Sequence, residues 1–259
     1  MFPDIFCIAS FCLRSLSVFL ALGFFVAGLI FFRKVREEHY LEMEAFDGFL
    51  LSLIAGFIAG RIVFVSTHFD QFGLSIWKWF DVMTYPGVIG SVAVISAGLY
   101  LYRYSKRFTD DNFEVLDIWS ISVSGGLALV WLGMFLDGAS TGNATNLPIG
   151  LRFPGLLEPH LPVQLLVAIF FLALSLYLQW VEYRYRTYSW YRSGKKSAQS
   201  GFLVSFSMIA VSLLWVVLSF LRPSQLVLMG VALDTGLALV GVCVGILLLY
   251  VRSGRKIGF

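Results

Sequence analysis

Charged residues are scarce in this sequence, and their scarcity excludes a water-soluble globular domain. Asp, Glu, Lys and Arg together make up 14% of the 259 residues, whereas hydrophobic residues make up 58%. The mean hydropathy is +0.82. This composition is typical of an integral membrane protein. The net charge of +3 is small, and the basic residues follow a topological pattern, so we do not expect a nucleic-acid partner.

Cysteine and the usual catalytic motifs are also nearly absent. The three cysteines, Cys7, Cys12 and Cys243, form no CxxC pair and leave one unpaired in any scheme, so we interpret them as small apolar residues. We find no glycine-rich phosphate loop, HExxH, GxSxG or paired carboxylates. We therefore expect no metal and no cofactor. Met1–Leu13 has no basic residue and no small-residue cleavage site, so we expect the first apolar span to be retained.

Long apolar runs predict an all-α bundle of seven transmembrane helices in a single domain, residues 1–259. About 20 residues cross a bilayer as a helix, and the runs are continuous, without the alternation of barrel strands. The predicted spans are Ser15–Phe32, Phe46–Val65, Tyr85–Tyr102, Val115–Phe135, Pro162–Val181, Gly201–Leu221 and Gln225–Tyr250.

The distribution of Lys and Arg predicts the orientation of the chain. Fourteen of these residues fall in one set of alternate connections and at the C-terminus, whereas the opposite set holds four: Arg14, Lys78, Arg152 and Arg222. Because cytoplasmic loops carry the excess of basic residues, we expect the N-terminus outside and the C-terminus in the cytoplasm.

The stretch Trp131–Pro154 is the predicted location of the functional site. It is long, rich in Gly, Asn, Ser and Thr, and nearly free of charge, and long polar loops at the edge of a rigid frame often carry function. It falls on the predicted outer side. On the same side, Ile76–Phe80 reads IWKWF, which we interpret as an aromatic anchor at the lipid headgroups.

Arg61 is the most informative single residue, because it lies inside an apolar span. An arginine in the membrane costs about 2.5 to 3.5 kcal/mol on insertion scales, so it suggests a site. Its planar fork suits a lipid phosphate. The alternative is that it extends toward the headgroups and only anchors the helix. Asp137 can pair with Arg61 or Arg152, or it can be a solvated boundary residue.

Three further polar residues lie beside span ends. Tyr85 opens the third span in the motif YPGVIGS, where an interfacial tyrosine and a functional phenol are both reasonable interpretations. His160 lies near the fifth span, and a histidine there can act as a general base, although it can equally be a boundary histidine. Gln164 lies just inside that span, so its amide requires a partner and we expect it to face the bundle interior.

Several segments, taken in order, resemble the prolipoprotein diacylglyceryl transferases of bacterial inner membranes. The similar segments are LALGFFVAGLIFFRK, GFIAGRIVFV, YPGVIGS, LGMFLDGASTG, LPIGLRFP, LPVQLL and WVVLSFLRP. The resemblance implies transfer of a diacylglyceryl group from phosphatidylglycerol to the cysteine thiol of a lipoprotein precursor peptide. It therefore implies both of these partners, contact with membrane lipids, and a multi-pass location in the inner membrane.

The resemblance assigns roles to individual positions. The positions that match the family pattern are Arg61, Gly87, Gly133, Gly138, Gly142, Pro148, Pro162, Gln164 and Arg222. The positions that depart from it are Tyr85 for a histidine, Trp131 and Trp215 for arginines, Met134 and Asp137 for asparagines, and Ala139 and Ser219 for glutamates. The implied lipid-phosphate ligands are Arg61, Arg222, Gln164, Arg152 and Gly138, and the implied catalytic residues are Tyr85, Asp137 and His160.

Two other functions are compatible with the same sequence. A paralogue that has lost catalysis would bind lipid or lipopeptide without turnover. A small-solute transporter is disfavoured, because no pair of spans is charged or broken at mid-membrane.

Overall fold

The structure, a computed structural model, describes residues 4–8, 11–82, 84–153, 155–187, 199–222, 227–228 and 231–252. The helices are α1 (Ser15–Glu37), α2 (Glu42–Thr67), α3 (Phe69–Phe72), α4 (Ile76–Phe80), α5 (Gly90–Tyr104), α6 (Asn112–Asp137), α7 (Val163–Val181), α8 (Phe202–Leu221) and α9 (Leu233–Arg252). A 3₁₀ turn spans Ser105–Arg107, and a π-helical turn spans Glu182–Thr187. The strands are β1 (Asp4–Ile8), β2 (Phe11–Arg14), β3 (Val227–Leu228) and β4 (Val231–Ala232).

The chain is an all-helical, multi-pass membrane protein. In the described part of the chain, six segments are long and apolar enough to cross a membrane: Ser15–Glu37, Glu42–Thr67, Asn112–Asp137, Val163–Arg184, Phe202–Leu221 and Thr235–Arg252. These overlap six of the seven predicted spans. These spans can be recognised in the sequence because a chain that crosses lipid must form a continuous helix, which satisfies its own backbone hydrogen bonds, and its side chains must be apolar.

The third predicted span, Tyr85–Tyr102, differs from the structure at its start. Helix α5 begins at Gly90 and has 15 residues, so it is about 22 Å long at 1.5 Å per residue. That length is short of the ~30 Å hydrocarbon core. Pro86 has no backbone N–H to donate and disfavours helical geometry in the residue before it. A seventh span thus stays a prediction.

The last predicted span, Gln225–Tyr250, also begins later than expected. Helix α9 starts at Leu233, after an antiparallel pair of two-residue strands, β3 and β4. Gln225 itself lies outside the described residues. At the other end of the chain, β1 and β2 form a second antiparallel pair that places Cys7 opposite Cys12. Neither hairpin was predicted: β3 and β4 have two residues each, and the sequences of β1 and β2, DIFCI and FCLR, do not alternate between apolar and polar residues.

The described chain divides into two compact units, and one of them is Phe31–Trp119. Its main packing is between α2 and α5, where small residues bring the helices together. A Cβ added at Gly56 would lie 2.5 Å from the carbonyl oxygen of Ala93, so only glycine allows this approach. The Ile89 N–H donates to the Gly60 carbonyl at 3.2 Å. This bond fixes the extended segment before α5 against the end of α2.

The other unit comprises Met1–Ile30 and Ser120–Phe259. Its buried core is formed by α6, α7 and α8, and it includes Trp131, Val167, Phe171 and Leu218. Helix α9 packs along α8 through its glycines. A Cβ added at Gly245 would lie 2.6 Å from a carbon of Ile209.

Candidate functional site

The loop that follows α6 begins with a tight reversal. Gly138 has φ 76° and Ser140 has φ 63°. The N–H groups of Gly138 and Ala139 donate back to the carbonyls of Phe135 and Met134 at 3.3 and 3.0 Å. This is a glycine-dependent helix end, in which the left-handed residue lets the chain turn away while it satisfies the last carbonyls. The predicted phosphate ligand Gly138 is thus the residue that shapes the turn.

Backbone hydrogen bonds then hold the loop between the start of α7 and the end of α8. The Gly142 N–H donates to the Leu161 carbonyl at 3.0 Å, and the Leu161 N–H donates to the Asn143 carbonyl at 3.1 Å. The Asn143 N–H donates to the Leu221 carbonyl at 2.8 Å. A side chain at Gly142 has no room, since an added Cβ would lie 2.6 Å from a methyl carbon of Val163. The loop is therefore a fixed part of the unit.

Gln164 supports the same turn from α7. It is fully buried, and its Nε2 donates to the Ala139 carbonyl at 2.6 Å. Its Oε1 has no hydrogen-bond partner among the described residues. The prediction that this amide is buried and requires a partner is confirmed for one of its two polar atoms. The other atom is an acceptor in the interior, which is unusual because buried polar groups are normally paired.

Arg222 approaches the turn from the other side. It follows the last residue of α8, its Nη2 donates to the hydroxyl of Ser140, and its guanidinium carbon lies 5.6 Å from the centre of the Trp131 ring. Cation–π contacts of this kind strengthen when water is excluded. The structure thus joins two predicted phosphate ligands, Arg222 and Gln164, to adjacent residues of one turn. Ser140 was missed, because nothing distinguishes it from the other hydroxyl residues in its loop.

Aromatic rings occupy the two positions at which the resemblance placed arginines. Trp131 and Trp215 meet edge to face, with ring centroids 6.0 Å apart, and Phe171 meets Trp215 at 6.2 Å. Trp131 is 8% exposed. Such geometry is favourable for aromatic pairs. These positions therefore form an apolar wall beside Arg222.

His160 is held by its backbone and by its ring. Its N–H and carbonyl exchange hydrogen bonds with the carbonyl and N–H of Leu151, both at 2.9 Å. Its ring Nδ1 lies 2.8 Å from the Glu158 carbonyl oxygen. A carbonyl only accepts, so Nδ1 carries a hydrogen in this contact, and Nε2 is the ring nitrogen that does not take part in it. Arg152, next to Leu151, is exposed.

Asp137 is the last residue of α6 and is partly buried. Among the described residues of its own unit it makes no ion pair, so the predicted pairing with Arg152 is not formed. Asp137 comes directly before the turn whose residues Ala139 and Ser140 accept hydrogen bonds from Gln164 and Arg222. A carboxylate at a helix C-terminus is unfavourable with the helix dipole.

Arg61 and Tyr85 belong to the unit Phe31–Trp119. Arg61 is 6% exposed and donates from Nε to the Trp79 carbonyl at 2.9 Å and from Nη1 to the Gly87 carbonyl at 2.8 Å. Its Nη2 donates to the carbonyls of Asp81 and Lys78, at 3.2 and 3.4 Å. The guanidinium is thus satisfied without a ligand, and its predicted contact with a lipid phosphate stays a prediction.

Tyr85 is partly buried and packs on an aromatic neighbour. Its ring centroid is 5.6 Å from that of Phe72, and the ammonium nitrogen of Lys78 lies 6.0 Å from the ring centre. The Tyr85 N–H donates to the Asp81 carbonyl at 3.2 Å. These contacts define its position but assign no reaction to the phenol.

Metal-binding groups are not assembled in the described part of the chain. No cluster of three or more His, Cys, Asp or Glu side chains is found there. The described polar groups of the site include the guanidinium of Arg222, which suits an anionic group, and two acceptors, the carboxylate of Asp137 and Oε1 of Gln164.

Comparison with known proteins gives one consistent result. The family model described as "Prolipoprotein diacylglyceryl transferase" matches residues 3–251. A Clostridium perfringens protein named "Phosphatidylglycerol--prolipoprotein diacylglyceryl transferase 2" is 27% identical over an alignment of 263 positions, covering 93% of each chain.

Two further relatives carry the same name without the numeral. The Clostridium tetani protein is 24% identical over 217 residues, covering 78% of each chain. The Shewanella oneidensis protein is 34% identical over 145 residues, covering 54% of this chain and 51% of its own. Since the family model matches nearly the whole length, the chain belongs to the prolipoprotein diacylglyceryl transferase family.

Proposed function

We propose that this protein transfers the diacylglyceryl group of phosphatidylglycerol to the cysteine thiol of a lipoprotein precursor peptide. In the reaction, the thiolate sulfur forms a bond to the terminal carbon of the diacylglyceryl group. The bond from that carbon to the phosphate oxygen breaks, and glycerol phosphate leaves with the electron pair. The thiol proton passes to a base of the protein. The observation that carries the proposal is the family match over residues 3–251.

The proposed membrane topology has seven spans and places the site at the outer surface. Seven spans, with α5 as the third, would place the N-terminus outside and the C-terminus in the cytoplasm of a bacterial inner membrane. The distribution of Lys and Arg supports this orientation. The whole chain, residues 1–259, would act as one integral membrane domain. In this arrangement the loop after α6 faces the outer surface, where a secreted peptide meets phospholipid.

His160 is the best supported candidate for the base. Its ring is oriented by the bond of Nδ1 to the Glu158 carbonyl, which leaves Nε2 to accept the thiol proton. Histidine is the side chain that most often takes and returns protons in enzyme reactions. Asp137 and Tyr85 are the other proposed catalytic residues. A carboxylate at position 137 can orient the peptide, and the Tyr85 phenol can donate to the departing oxygen.

Arg222 is the proposed ligand of the lipid phosphate. The contact with Ser140 fixes one end of its guanidinium fork, and a fixed fork loses less entropy when it binds two phosphate oxygens. Gln164 and Gly138 support it by holding the turn. Exposed Arg152 would add positive charge near the phosphate. A preorganised cation stabilises the charge that grows on the leaving group.

Purified protein, phosphatidylglycerol and a synthetic peptide with a lipoprotein-type cysteine provide the test. We expect the peptide to gain the mass of a diacylglyceryl group through a thioether bond. Replacing Arg222 by Gln should lower the rate by more than replacing it by Lys, because Lys keeps the charge but not the fork.

One outcome would contradict the transferase proposal. The Trp131–Trp215 contact fills two positions where the resemblance placed arginines, but the family match over residues 3–251 does not favour the alternative of a paralogue that binds lipid without turnover. That alternative predicts bound phosphatidylglycerol with no change in peptide mass.

A further inference from the structure

The connection between α2 and α5 contains a short apolar segment with two different faces. We call residues 69–80 the strap; it consists of α3, α4 and the turn between them. On one face, Phe72 is 2% exposed. On the other face, Leu74, Ile76, Trp77 and Phe80 are 86%, 63%, 88% and 79% exposed. Large apolar side chains exposed together in this way indicate a surface that meets an apolar partner.

The strap is tied to the end of a membrane-spanning helix. Helix α2 ends at Thr67, and the strap begins two residues later. The side chain of Arg61, one to two turns before the end of α2, donates to the carbonyls of Lys78 and Trp79 within the strap. A second pair of bonds reaches the carbonyls of Asp81 and Gly87, beyond it. The strap is therefore held at the level where α2 leaves the apolar region.

Arg61 uses four of the five N–H groups of an arginine in these bonds. Its guanidinium carbon also lies 5.2 Å from the ring centre of Phe72 and 5.6 Å from that of Phe64. An arginine that binds a phosphate in the bidentate mode needs two parallel N–H donors that are free to bind it. Here the fork is closed by backbone oxygens, and only one hydrogen on Nη1 is left over.

We propose that Arg61 is a positioning residue that holds the strap so that Leu74, Ile76, Trp77 and Phe80 enter the lipid headgroup boundary. The partner is the bilayer itself. Exposed apolar residues such as Ile62 are also found on α2, the membrane-spanning helix that precedes the strap. Trp and Phe with a nearby Lys are the residues that settle at this boundary.

The same bonds also position Tyr85. Its neighbour Gly87 accepts from Nη1 of Arg61, and its ring rests on Phe72 of the strap. If Tyr85 takes part in the reaction, which rests on the function proposed above, Arg61 acts on catalysis through this segment. Loss of Arg61 would then lower kcat and leave the affinity for phosphatidylglycerol nearly unchanged.

The experiment measures strap depth and kinetics on the same protein. Cys7, Cys12 and Cys243 are replaced by Ser, and Trp77→Cys carries a spin label in vesicles of phosphatidylglycerol and phosphatidylcholine. Depth is read from accessibility to oxygen, which prefers lipid, against a polar nickel complex, which prefers water. The variants are Arg61→Met and Arg61→Lys, with Arg14→Met as the control for loss of an exposed arginine.

We expect the label to lie in lipid in the parent protein and to move toward water in Arg61→Met. A displaced segment should lower kcat roughly 10- to 100-fold, with KM for phosphatidylglycerol changed by less than about twofold. Arg61→Lys should give a label depth and a kcat between those of the parent protein and Arg61→Met, because an ammonium cannot reach four carbonyls at once. Arg14→Met should leave both readouts unchanged. If Arg61→Met does not accumulate, Arg61→Lys decides the test by the same readouts.

Other results would overturn the inference. Unchanged label depth with a raised KM would mean that Arg61 binds the lipid phosphate. A label exposed to water in the parent protein would mean that the strap does not meet lipid. If the parent protein lacks transferase activity, the proposed function fails, but the label depth still tests the role of Arg61.

Discussion

Replacing Gly87 by Ala should destabilise the protein more than the same change at Gly73 or Gly90, two other glycines of its unit. Gly87 has φ 154°, a conformation that side chains rarely adopt, and an added Cβ would lie 2.1 Å from Cζ of Phe64. The backbone strain is worth about 1 to 3 kcal/mol. Overpacking adds about 1 to 3 kcal/mol. We therefore expect a loss of roughly 2 to 6 kcal/mol in the free energy of unfolding.

Two matched variants separate these contributions. Gly73 has φ 55° but no atom within 4 Å of an added Cβ, so Gly73→Ala should show the backbone strain alone, about 1 to 3 kcal/mol. Gly90 has neither feature. Gly90→Ala should be neutral or stabilise by up to about 1 kcal/mol, because alanine restricts the unfolded chain.

Denaturant unfolding of the purified proteins in one detergent, followed by near-ultraviolet circular dichroism, gives the three free energies. The order Gly87→Ala, then Gly73→Ala, then Gly90→Ala is expected, from most to least destabilised. If Gly87→Ala is no more destabilised than Gly73→Ala, the ring of Phe64 does not press on this backbone. That result would refute the close packing of Gly87 against Phe64, which places the Gly87 carbonyl within hydrogen-bond distance of Arg61.

Three further variants test the turn after α6. Gln164→Leu should change the free energy of unfolding by less than about 1 kcal/mol, because the variant loses one hydrogen bond but also removes a buried oxygen without a partner. The transferase rate of this variant should nevertheless fall. Ser140→Ala should raise KM for phosphatidylglycerol roughly 10-fold, since a charge-assisted bond to Arg222 is worth about 1.5 to 3 kcal/mol. Trp131→Arg should destabilise by about 3 to 5 kcal/mol, because it buries a second cation beside Arg222. Unchanged KM in the second case, or unchanged stability in the third, would contradict the described contacts.

The long helices could be predicted from the sequence because lipid forces a continuous apolar run on each of them. Helix α5 was predicted to begin too early, at Tyr85. Apolar composition alone does not reveal that Pro86 and the bond from Ile89 to Gly60 keep this segment extended. The hairpins were missed because β3 and β4 have only two residues each, and because β1 and β2 show no alternation of apolar and polar residues.

The loop and the buried amide of the candidate site were predictable from the sequence, and their contacts were less so. The glycine-rich composition of Trp131–Pro154 indicated the loop, and the apolar surroundings of Gln164 indicated a buried amide. The partner of Arg222 lies 82 residues away in sequence, and no local pattern encodes such a pairing. Arg61 was recognised as unusual, yet its four carbonyl partners could not be read, because backbone acceptors are the same at every residue.

The most direct test of the central proposal follows the leaving group. The purified protein is incubated with phosphatidylglycerol labelled in its headgroup glycerol and with a peptide that carries the lipoprotein cysteine. We expect labelled glycerol phosphate to be released in an amount equal to the thioether formed on the peptide, and we expect neither product when the peptide cysteine is replaced by Ser. Bound phosphatidylglycerol with no labelled glycerol phosphate released would contradict it.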